Sequence, residues 1–266
     1  MKIRAAVLER FGEPLNVTDL DLAEPKPGEV LVRLEACGVC HTDMYTASGA
    51  DPSGYAPTVL GHEGAGVVER VGEGVQSVGP GDHVVTLFSP QCRECEHCRS
   101  DRTNLCLAIR EQQNQAYLPD GTTRLRREGE PVRHFMGTST FATHTVMPEI
   151  ALAKVSPEAP ADRAALFACG LSTGLGAAIN TAKVNTGSTC VVFGAGMVGL
   201  GAVAGCRLQG AERIICVDRS RERLELARGQ GATDTWEADE HVVQRVLDET
   251  RGFGADYTSR RPGSSR

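Results

Sequence analysis

The sequence has no excess of basic residues, no low-complexity tract and no long hydrophobic run free of glycine and polar residues. Its 28 Lys and Arg residues are outnumbered by 34 Asp and Glu residues, so the formal net charge is −6, which disfavours nucleic acid as a partner. Hydrophobic residues make up 41% and charged residues 23% of the 266 positions. These values are typical of globular proteins and exclude disorder, collagen or coiled coil as the main class.

Two stretches without charge, residues 164–182 and 184–206, are long enough to span a membrane. Glycines and polar Ser, Thr and Asn residues interrupt both, and the second begins with a β-type run followed by a glycine-rich turn. A buried strand and helix are therefore favoured over a membrane span. The chain starts with Met1-Lys2-Ile3-Arg4 and runs into a strand-like segment instead of a basic and then apolar leader. We expect a cytoplasmic protein without a membrane partner.

The pattern of hydrophobic residues predicts an α/β protein with two different halves. Residues 1–150 contain β-type runs at 3–8, 30–34, 64–71, 83–87 and 141–147, and the polar stretch 110–130 is predicted to be a long surface loop. From residue 160 onward helices and strands alternate, which indicates parallel βαβ units. The predicted strands are 189–193 and 213–217, and the predicted helices are 162–168, 171–182, 197–208, 221–230 and 241–250.

The expected domains are a β-rich domain over residues 1–170 and a partial doubly wound parallel sheet over residues 171–258. Too few βα units remain for a complete dinucleotide-binding fold. The last eight residues, 259–266, contain three arginines and no apolar side chain, so we expect a disordered tail.

Four cysteines stand within a short segment, in the pattern Cys92-x2-Cys95-x2-Cys98-x7-Cys106. In a chain without an export signal, thiolate metal ligation is favoured over disulfides. Four sulfurs without an open position indicate a structural zinc site. An iron–sulfur cluster uses the same ligands, and four unrelated cysteines are the other alternative. His97 lies inside the segment but is not needed as a ligand.

Three further residues, Cys40, His62 and Cys169, are candidate ligands for a second metal. Spacing alone does not link them, because a lone histidine is more often structural and a cysteine in an apolar helix is more often a core thiol. Two cysteines and one histidine nevertheless form the open catalytic zinc site of alcohol dehydrogenases. The nucleotide-binding segment described next makes that combination the favoured interpretation.

A glycine-rich turn follows the predicted strand 189–193 and opens the next helix. Gly194, Gly196 and Gly199 form G-x-G-x-x-G, the pattern that lets a pyrophosphate approach a helix N-terminus. Asp218 stands 24 residues after Gly194, at the end of the next strand, where a carboxylate binds the adenosine ribose and favours NAD over NADP. The alternatives are a glycine-rich helix packed on a sheet and, for Asp218, a helix cap.

These motifs together resemble the zinc-dependent medium-chain alcohol dehydrogenases, and more narrowly the class III alcohol dehydrogenases, which oxidise S-(hydroxymethyl)glutathione. The resemblance covers nearly all of residues 1–258 and rests on the segments CHTDMYTASGADPSG, LGHEGAGVVERVGEGV, PQCRECEHCRSDRTNLC, LPDGTTRL, HFMGTSTFATHTV and CGLSTGLGAAINTAKVNTGSTCVVFGAGMVGL. It implies a GroES-like domain followed by a Rossmann domain, two zinc ions per chain, and NAD as cofactor.

The resemblance also assigns roles around the catalytic zinc and the cofactor. The three ligands would be Cys40, His62 and Cys169, with Glu63 behind the metal. Asp43 would hold His62, and Thr42 would relay the alcohol proton. At the cofactor, His41 would contact the pyrophosphate and Thr173 the nicotinamide. Arg223 would contact the ribose beside Asp218.

For the substrate, the resemblance points to Asp51 and Arg110 as the residues that bind the glutathione part, and Tyr45 also fits class III. Ordinary surface charge is the alternative for Asp51 and Arg110. Class III enzymes often carry an acid where this chain has Ser53. Two alternatives to a dehydrogenase for a glutathione adduct therefore remain. One is a general primary-alcohol or mycothiol-linked dehydrogenase, and the other is a zinc-binding fragment without catalytic activity.

The C-terminal end departs most from the family. The resemblance implies further strands of the Rossmann sheet, the main contact of a homodimer, and a segment that returns to the first domain, and the sequence contains none of these. The tail resembles a truncated or frameshifted end. We therefore expect an incomplete enzyme.

Overall fold

The computed structural model describes residues 1–100 and 102–260, with the side chain of residue 260 left out. The chain divides into two compact units, Met1–Cys169 and Gly170–Arg266. This division lies one residue before the domain boundary that the sequence pattern suggested. Residues 261–266, most of the predicted tail, lie outside the described residues.

The first unit consists mainly of strands joined by turns and short helices. Its strands are β1 (Lys2–Leu8), β2 (Asn16–Leu22), β3 (Glu29–Gly38), β4 (Thr58–Val59), β5 (Glu63–Val71), β6 (His83–Thr86), β7 (Leu125–Arg127), β8 (Glu130–His134), β9 (His144–Pro148) and β10 (Leu152–Lys154). Its α-helices are α1 (His41–Ala47), α2 (Leu107–Gln113) and α3 (Ala161–Ala164), and its 3-10 turns are Thr103–Leu105, Phe135–Gly137, Glu149–Ala151 and Ala165–Ala168.

These strands form two sheets, each with its own apolar core. In the first, the order is β1-β2-β7-β8-β4, and the sheet closes on itself because β4 pairs with both β8 and β1. The second has the order β10-β6-β5-β3-β9. Alternation along β1 places Ile3, Ala5 and Val7 in the core of the first sheet, and Val30 and Val32 of β3 lie in the core of the second.

The prediction of a long surface loop over residues 110–130 is wrong. The segment contains the end of α2, the strand β7 and the start of β8, and Leu118 is fully buried. Arg124, whose side chain is 2% exposed, forms a buried ion pair with Glu29 and a second pair with Asp120. Part of the polar stretch is therefore paired inside the unit, because Arg124 lies between Glu29 and Asp120.

The second unit is a parallel α/β arrangement. Its helices are α4 (Gly170–Gly176), continued by a π-helical turn (Ala177–Ala182), α5 (Met197–Leu208), α6 (Arg221–Gln230) and α7 (Val242–Glu249). Its strands are β11 (Thr189–Phe193), β12 (Arg213–Asp218), β13 (Asp234–Glu237) and β14 (Tyr257–Arg260), in the sheet order β13-β12-β11-β14. All three strand pairs are parallel, as the strand–helix alternation predicts.

Strand β14 extends two residues beyond the predicted end of ordered structure. Ser259 and Arg260, which the sequence pattern assigned to the tail, pair in register with Val192 and Phe193 of β11. Backbone pairing with a buried strand does not require apolar side chains, so composition alone did not reveal it.

Glycines explain the two uncharged stretches that resembled membrane spans. A Cβ on Gly174 of α4 would lie 2.0 Å from the carbonyl oxygen of Val198 in α5, and one on Gly201 would lie 2.5 Å from that of Leu171. The two helices thus pack backbone against backbone. Among the described residues, no single helix is long and apolar enough to cross a membrane; one pair, Ala161–Ala168 with Gly170–Ala182, passes that test only when its two helices are counted together.

Candidate metal centres and cofactor-binding turn

The first unit brings Cys40, His62 and Cys169 together although they are distant in sequence. Cys40 precedes α1, His62 precedes β5, and Cys169 follows the 3-10 turn Ala165–Ala168. One ligand atom from each of these residues, together with one from Glu63, lies within 4.8 Å of all the others. This group of two sulfurs, one imidazole and one carboxylate is called the Cys40 site below.

Asp43 ties the parts of the Cys40 site together. Its side chain is 1% exposed, and its Oδ1 lies 3.1 Å from Nδ1 of His62 and accepts a hydrogen bond from the Gly61 amide at 3.1 Å. Its Oδ2 accepts the Cys40 amide at 2.9 Å. A carboxylate at Nδ1 fixes the orientation of the ring and leaves Nε2 for a metal.

Electrostatics at the Cys40 site favour a bound cation. A hydrogen bond from Cys169, with further ones from His62 and Thr42, lowers the pKa of Cys40 to about 3 despite its burial. The Cys40 sulfur and burial raise the pKa of Cys169 well above its ordinary value. Burial alone would lower the pKa of His62, but hydrogen bonds to Asp43 and Cys40 outweigh it and raise that pKa to about 9.

Glu63 has a space of its own beside the three ligands. Its carboxylate is buried, and a Cβ on Gly38 would lie only 2.1 Å from Oε2 of Glu63. Glycine at position 38 therefore makes room for this carboxylate. Two thiolates and one imidazole with a nearby carboxylate fit zinc with one exchangeable position, the arrangement of a catalytic site.

Three other predicted residues lie on α1, next to the Cys40 site. The hydroxyl of Thr42 is 3.5 Å from the Cys40 sulfur, which places a proton-carrying group beside a proposed ligand. His41 is exposed at the first turn of the helix, and Tyr45 is 46% exposed. Of the three side chains, that of Thr42 contacts the Cys40 site.

The four-cysteine cluster has the dimensions of a zinc–thiolate tetrahedron. The sulfurs of Cys92 and Cys98 are 3.8 Å apart, and those of Cys95 and Cys106 are 4.0 Å apart. A zinc–sulfur distance of about 2.3 Å in tetrahedral geometry requires sulfur–sulfur distances of about 3.8 Å. All ten cysteines of the chain are free thiols, so the cluster fits a structural zinc ion.

Backbone amides stabilise thiolates in this cluster. The Cys92 sulfur accepts hydrogen bonds from the amides of Glu94 at 3.5 Å and Cys95 at 3.3 Å. Amides of Cys98 and Leu107 lower the pKa of Cys95 to about 6. His97, which sequence analysis set aside, is not among the ligand atoms of the cluster.

The glycine-rich turn of the second unit has the local geometry of a dinucleotide site. Gly194 has a φ of 98°, which favours glycine. A Cβ on Gly199 would lie 1.7 Å from the carbonyl oxygen of Gly194, whereas one on Gly196 would meet nothing within 4 Å. Gly199 therefore permits the tight turn, and the space at Gly196, directly before α5, is open to a phosphate.

Asp218 lies at the end of β12 and contacts this turn. Its Oδ2 accepts the amide of Ala195 at 2.7 Å, and its Oδ1 accepts the amide of Ser220 at 2.8 Å. The cap of α6 is Ser220, which accepts the amide of Arg223, so Asp218 itself does not cap the helix. Arg223 and Thr173 are exposed, on α6 and α4.

The predicted substrate residues are not joined to each other. Both carboxylate oxygens of Asp51 are used locally, by the Thr46 hydroxyl at 2.8 Å and by the amide and hydroxyl of Ser53 at 2.9 and 2.7 Å. Arg110 is exposed on α2. Within the described part of the chain, no hydrogen bond or ion pair links Asp51 to Arg110.

Sequence analysis missed the side chains that surround His62. The rings of Phe88 and Phe135 meet the imidazole edge to face at 5.4 and 6.0 Å. The buried hydroxyls of Thr86 and Thr138 bond to the backbone on either side of it. Threonine and phenylalanine are ordinary residues in and beside strands, so the sequence carried no signal for these contacts.

Comparisons with known proteins agree with this geometry. A family profile described as the alcohol dehydrogenase GroES-like domain matches residues 26–157, and one described as a zinc-binding dehydrogenase matches residues 197–263. S-(hydroxymethyl)glutathione dehydrogenases from Escherichia coli O1:K1 and from Shigella sonnei are each 50% identical over 260 residues, which is 97% of this chain and 70% of each relative.

Solved structures show the same similarity. An alcohol dehydrogenase zinc-binding domain protein from Burkholderia ambifaria matches with a TM-score of 0.90 and 39% identity, over 97% of this chain and 70% of that protein. Benzyl alcohol dehydrogenase from Acinetobacter calcoaceticus matches with a TM-score of 0.90 and 33% identity, over 99% of this chain and 71% of that protein. The GroES-like and Rossmann-type fold predicted from the resemblance is confirmed, and the chain belongs to the zinc-dependent alcohol dehydrogenase family.

Proposed function

We propose that the chain oxidises an alcohol with NAD, that the alcohol is S-(hydroxymethyl)glutathione, and that Cys40, His62 and Cys169 hold the catalytic zinc. The observation that carries the proposal is the convergence of these three ligands with Glu63, all with ligand atoms within 4.8 Å of one another. Their distance in sequence makes such a convergence improbable as an accident of packing. The names of the Escherichia coli and Shigella relatives support the substrate.

Zinc at this site would act as a Lewis acid that lowers the pKa of a bound alcohol. The chain's own groups would do the rest. Asp43 keeps the His62 ring in the orientation that exposes Nε2. The Thr42 hydroxyl, beside Cys40, would accept the proton of the substrate hydroxyl and pass it toward solvent.

The second unit would bind NAD at the turn before α5. The pyrophosphate would lie at the N-terminus of α5, over Gly196. Asp218 would face the ribose, with Arg223 beside it, because its carboxylate is held at the turn by the Ala195 amide. A carboxylate there repels the 2′-phosphate of NADP, and Thr173 would contact the nicotinamide.

A general primary-alcohol dehydrogenase is the second candidate, and one observation favours it. Asp51 accepts three hydrogen bonds from Thr46 and Ser53, which leaves about one of its roughly four acceptor sites free, so recognition of a charged glutathione group would depend chiefly on Arg110. In that case benzyl alcohol or a simple primary alcohol would be the better substrate. The relative from Acinetobacter calcoaceticus is named for benzyl alcohol.

The test is NADH formation by the zinc-loaded 266-residue protein with three substrates: formaldehyde plus glutathione, benzyl alcohol and ethanol. Of the three substrates we expect the glutathione adduct to give the most NADH, with NAD preferred over NADP and no NADH from Cys40→Ser. No NADH from any of the three would favour a zinc-binding fragment without catalytic activity. Arg110→Ala removes a charge-assisted contact and should raise KM for the adduct about tenfold or more, while Arg126→Ala, another exposed arginine, should not. If Arg110→Ala impairs ethanol oxidation as much as oxidation of the adduct, Arg110 does not belong to the substrate site.

A further inference from the structure

Two buried threonines hold the backbone on either side of His62. The carbonyl oxygen of Gly61, which precedes the histidine, lies 3.0 Å from the Thr138 hydroxyl, whose single proton it shares with the carbonyl oxygen of Phe135 at 3.1 Å. The carbonyl oxygen of His62 itself accepts one from the Thr86 hydroxyl at 3.1 Å. Thr86 and Thr138 are both 0% exposed, so no solvent competes for these bonds.

The segment before His62 needs such support because glycine stands there. Gly61 has a φ of 90°, a region that other residues rarely adopt. A Cβ at this position would lie 2.6 Å from the backbone nitrogen of Phe141. The amide of Gly61 is bound by Asp43 and its carbonyl by Thr138 and by the Thr140 amide, at 2.9 Å. Gly61 is therefore fixed at both its amide and its carbonyl.

Thr86 performs the corresponding task after His62. It accepts the amide of Gly64 at 3.0 Å while donating to the carbonyl of His62. One hydroxyl thus spans Glu63, the carboxylate of the Cys40 site. The ladder between β5 and β6 ends at the pair Ala65 and Val85, and the Thr86 side chain continues it toward the metal ligands.

These hydrogen bonds satisfy buried backbone groups and at the same time fix the two peptides next to His62. The two peptides next to His62 determine its backbone dihedral angles and hence the direction of its Cα–Cβ bond. Asp43 can orient the imidazole only within the range that this bond allows. Outer contacts of this kind typically change metal affinity on the order of 10–100-fold when they are removed.

We propose that Thr86 and Thr138 are positioning residues that aim His62 at the metal of the Cys40 site. The inference rests on the proposed function, because it needs a metal at Cys40. It concerns the strength and geometry of metal binding rather than the identity of the substrate.

Thr123 provides a matched control. It is buried, donates to the carbonyl of Val132 at 2.7 Å and accepts the amide of Leu125 at 3.1 Å. The pattern of bonds is that of Thr86, but Thr123 bonds to none of the proposed metal ligands. Thr123→Val therefore measures the cost of losing such a hydroxyl without affecting His62.

The experiment uses the full chain with Thr86→Val, Thr138→Val, the corresponding Ser variants and Thr123→Val. The rate of zinc release is measured with a chromogenic chelator. The zinc that is bound at the Cys40 site is identified as the part of this release that is missing in Cys40→Ser. The visible spectrum of the cobalt-substituted proteins reports ligand geometry. Thermal unfolding of each variant reports its folding. Should a valine variant not fold, the alanine variant of the same threonine takes its place.

We expect each Val variant to release the Cys40-site zinc about tenfold faster and to shift the cobalt absorption bands, with both properties restored by Ser. Thr123→Val should release zinc at the rate of the parent protein and give the same cobalt spectrum. The zinc of the four-cysteine cluster should be released at the parent rate in every variant. Unchanged zinc release rates and cobalt spectra in folded Thr86 and Thr138 variants would overturn this inference but would not affect the proposed function. A parent protein that binds no cobalt at Cys40 would overturn the proposed function, and this inference with it.

Discussion

His134 should make the stability of the chain depend on pH in mildly acidic solution. The residue ends β8 and is fully buried, and neither ring nitrogen has a hydrogen-bond partner among the described residues. Burial, together with the charge of Arg124, lowers the pKa of His134 from 6.5 to about 3. The folded chain therefore holds His134 neutral where the unfolded chain would protonate it.

The direction of this pH dependence follows from the lowered pKa of His134. Below pH 6.5 the unfolded state binds a proton that the folded state refuses, so the stability falls as the pH is lowered toward 3. With these two pKa values, the loss between about pH 7.5 and about pH 5 amounts to about 2 kcal/mol. Above about pH 7.5 this residue should contribute no pH dependence.

The measurement is chemical denaturation of the parent protein and of His134→Leu at both pH values. The parent should lose about 2 kcal/mol more than the variant on acidification, and the variant should be close to neutral at the higher pH because His134 leaves no bonded partner behind. His241→Leu, at a side chain that is 75% exposed, is the control and should behave as the parent. Equal losses in the parent and in His134→Leu would refute the reasoning.

Three further outcomes are expected. Cys95→Ser should lose the zinc of the four-cysteine cluster and unfold the segment that carries it, whereas Cys40→Ala should lose the zinc of the Cys40 site with the fold intact. Metal analysis and circular dichroism check both variants. A parent protein that binds only a single zinc would contradict these expectations. Gly199→Ala, whose Cβ would lie 1.7 Å from a carbonyl oxygen of the turn, should abolish NAD binding in titration calorimetry, whereas Gly229→Ala, with open space around it, should bind normally. Arg124→Met leaves a buried carboxylate unpaired and should cost about 3–5 kcal/mol in denaturation experiments; a loss below about 1 kcal/mol would show that water reaches this pair.

The second unit could be predicted closely from sequence because its signals are local. The strand β11 and the helices α5 and α6 begin and end at the predicted residues, because apolar periodicity and the glycine turn mark them locally. Strand β13 was missed because its four residues are half-buried or exposed and show no alternation. Its position depends on pairing with β12, which the sequence of β13 does not encode by itself.

The four-cysteine cluster is equally local, since its ligands lie within one short segment. The Cys40 site is different. No pattern of spacing connects residue 40 to residue 169. The site could be predicted only from the combination of these residues with a nucleotide-binding segment and from the resemblance to a family. The buried hydroxyls of Thr86 and Thr138 gave no signal, because a threonine in a strand is ordinary whether or not it supports a ligand.

This difference has a physical consequence for the two proposed metal sites. The four-cysteine cluster depends on amides of its own loop, such as those of Glu94 and Cys95. The Cys40 site depends on groups from separate elements, with Asp43 on α1, Thr86 at the end of β6 and Thr138 after β8. A small shift between β5 and β6 would therefore misalign His62 while the cysteine loop keeps its geometry.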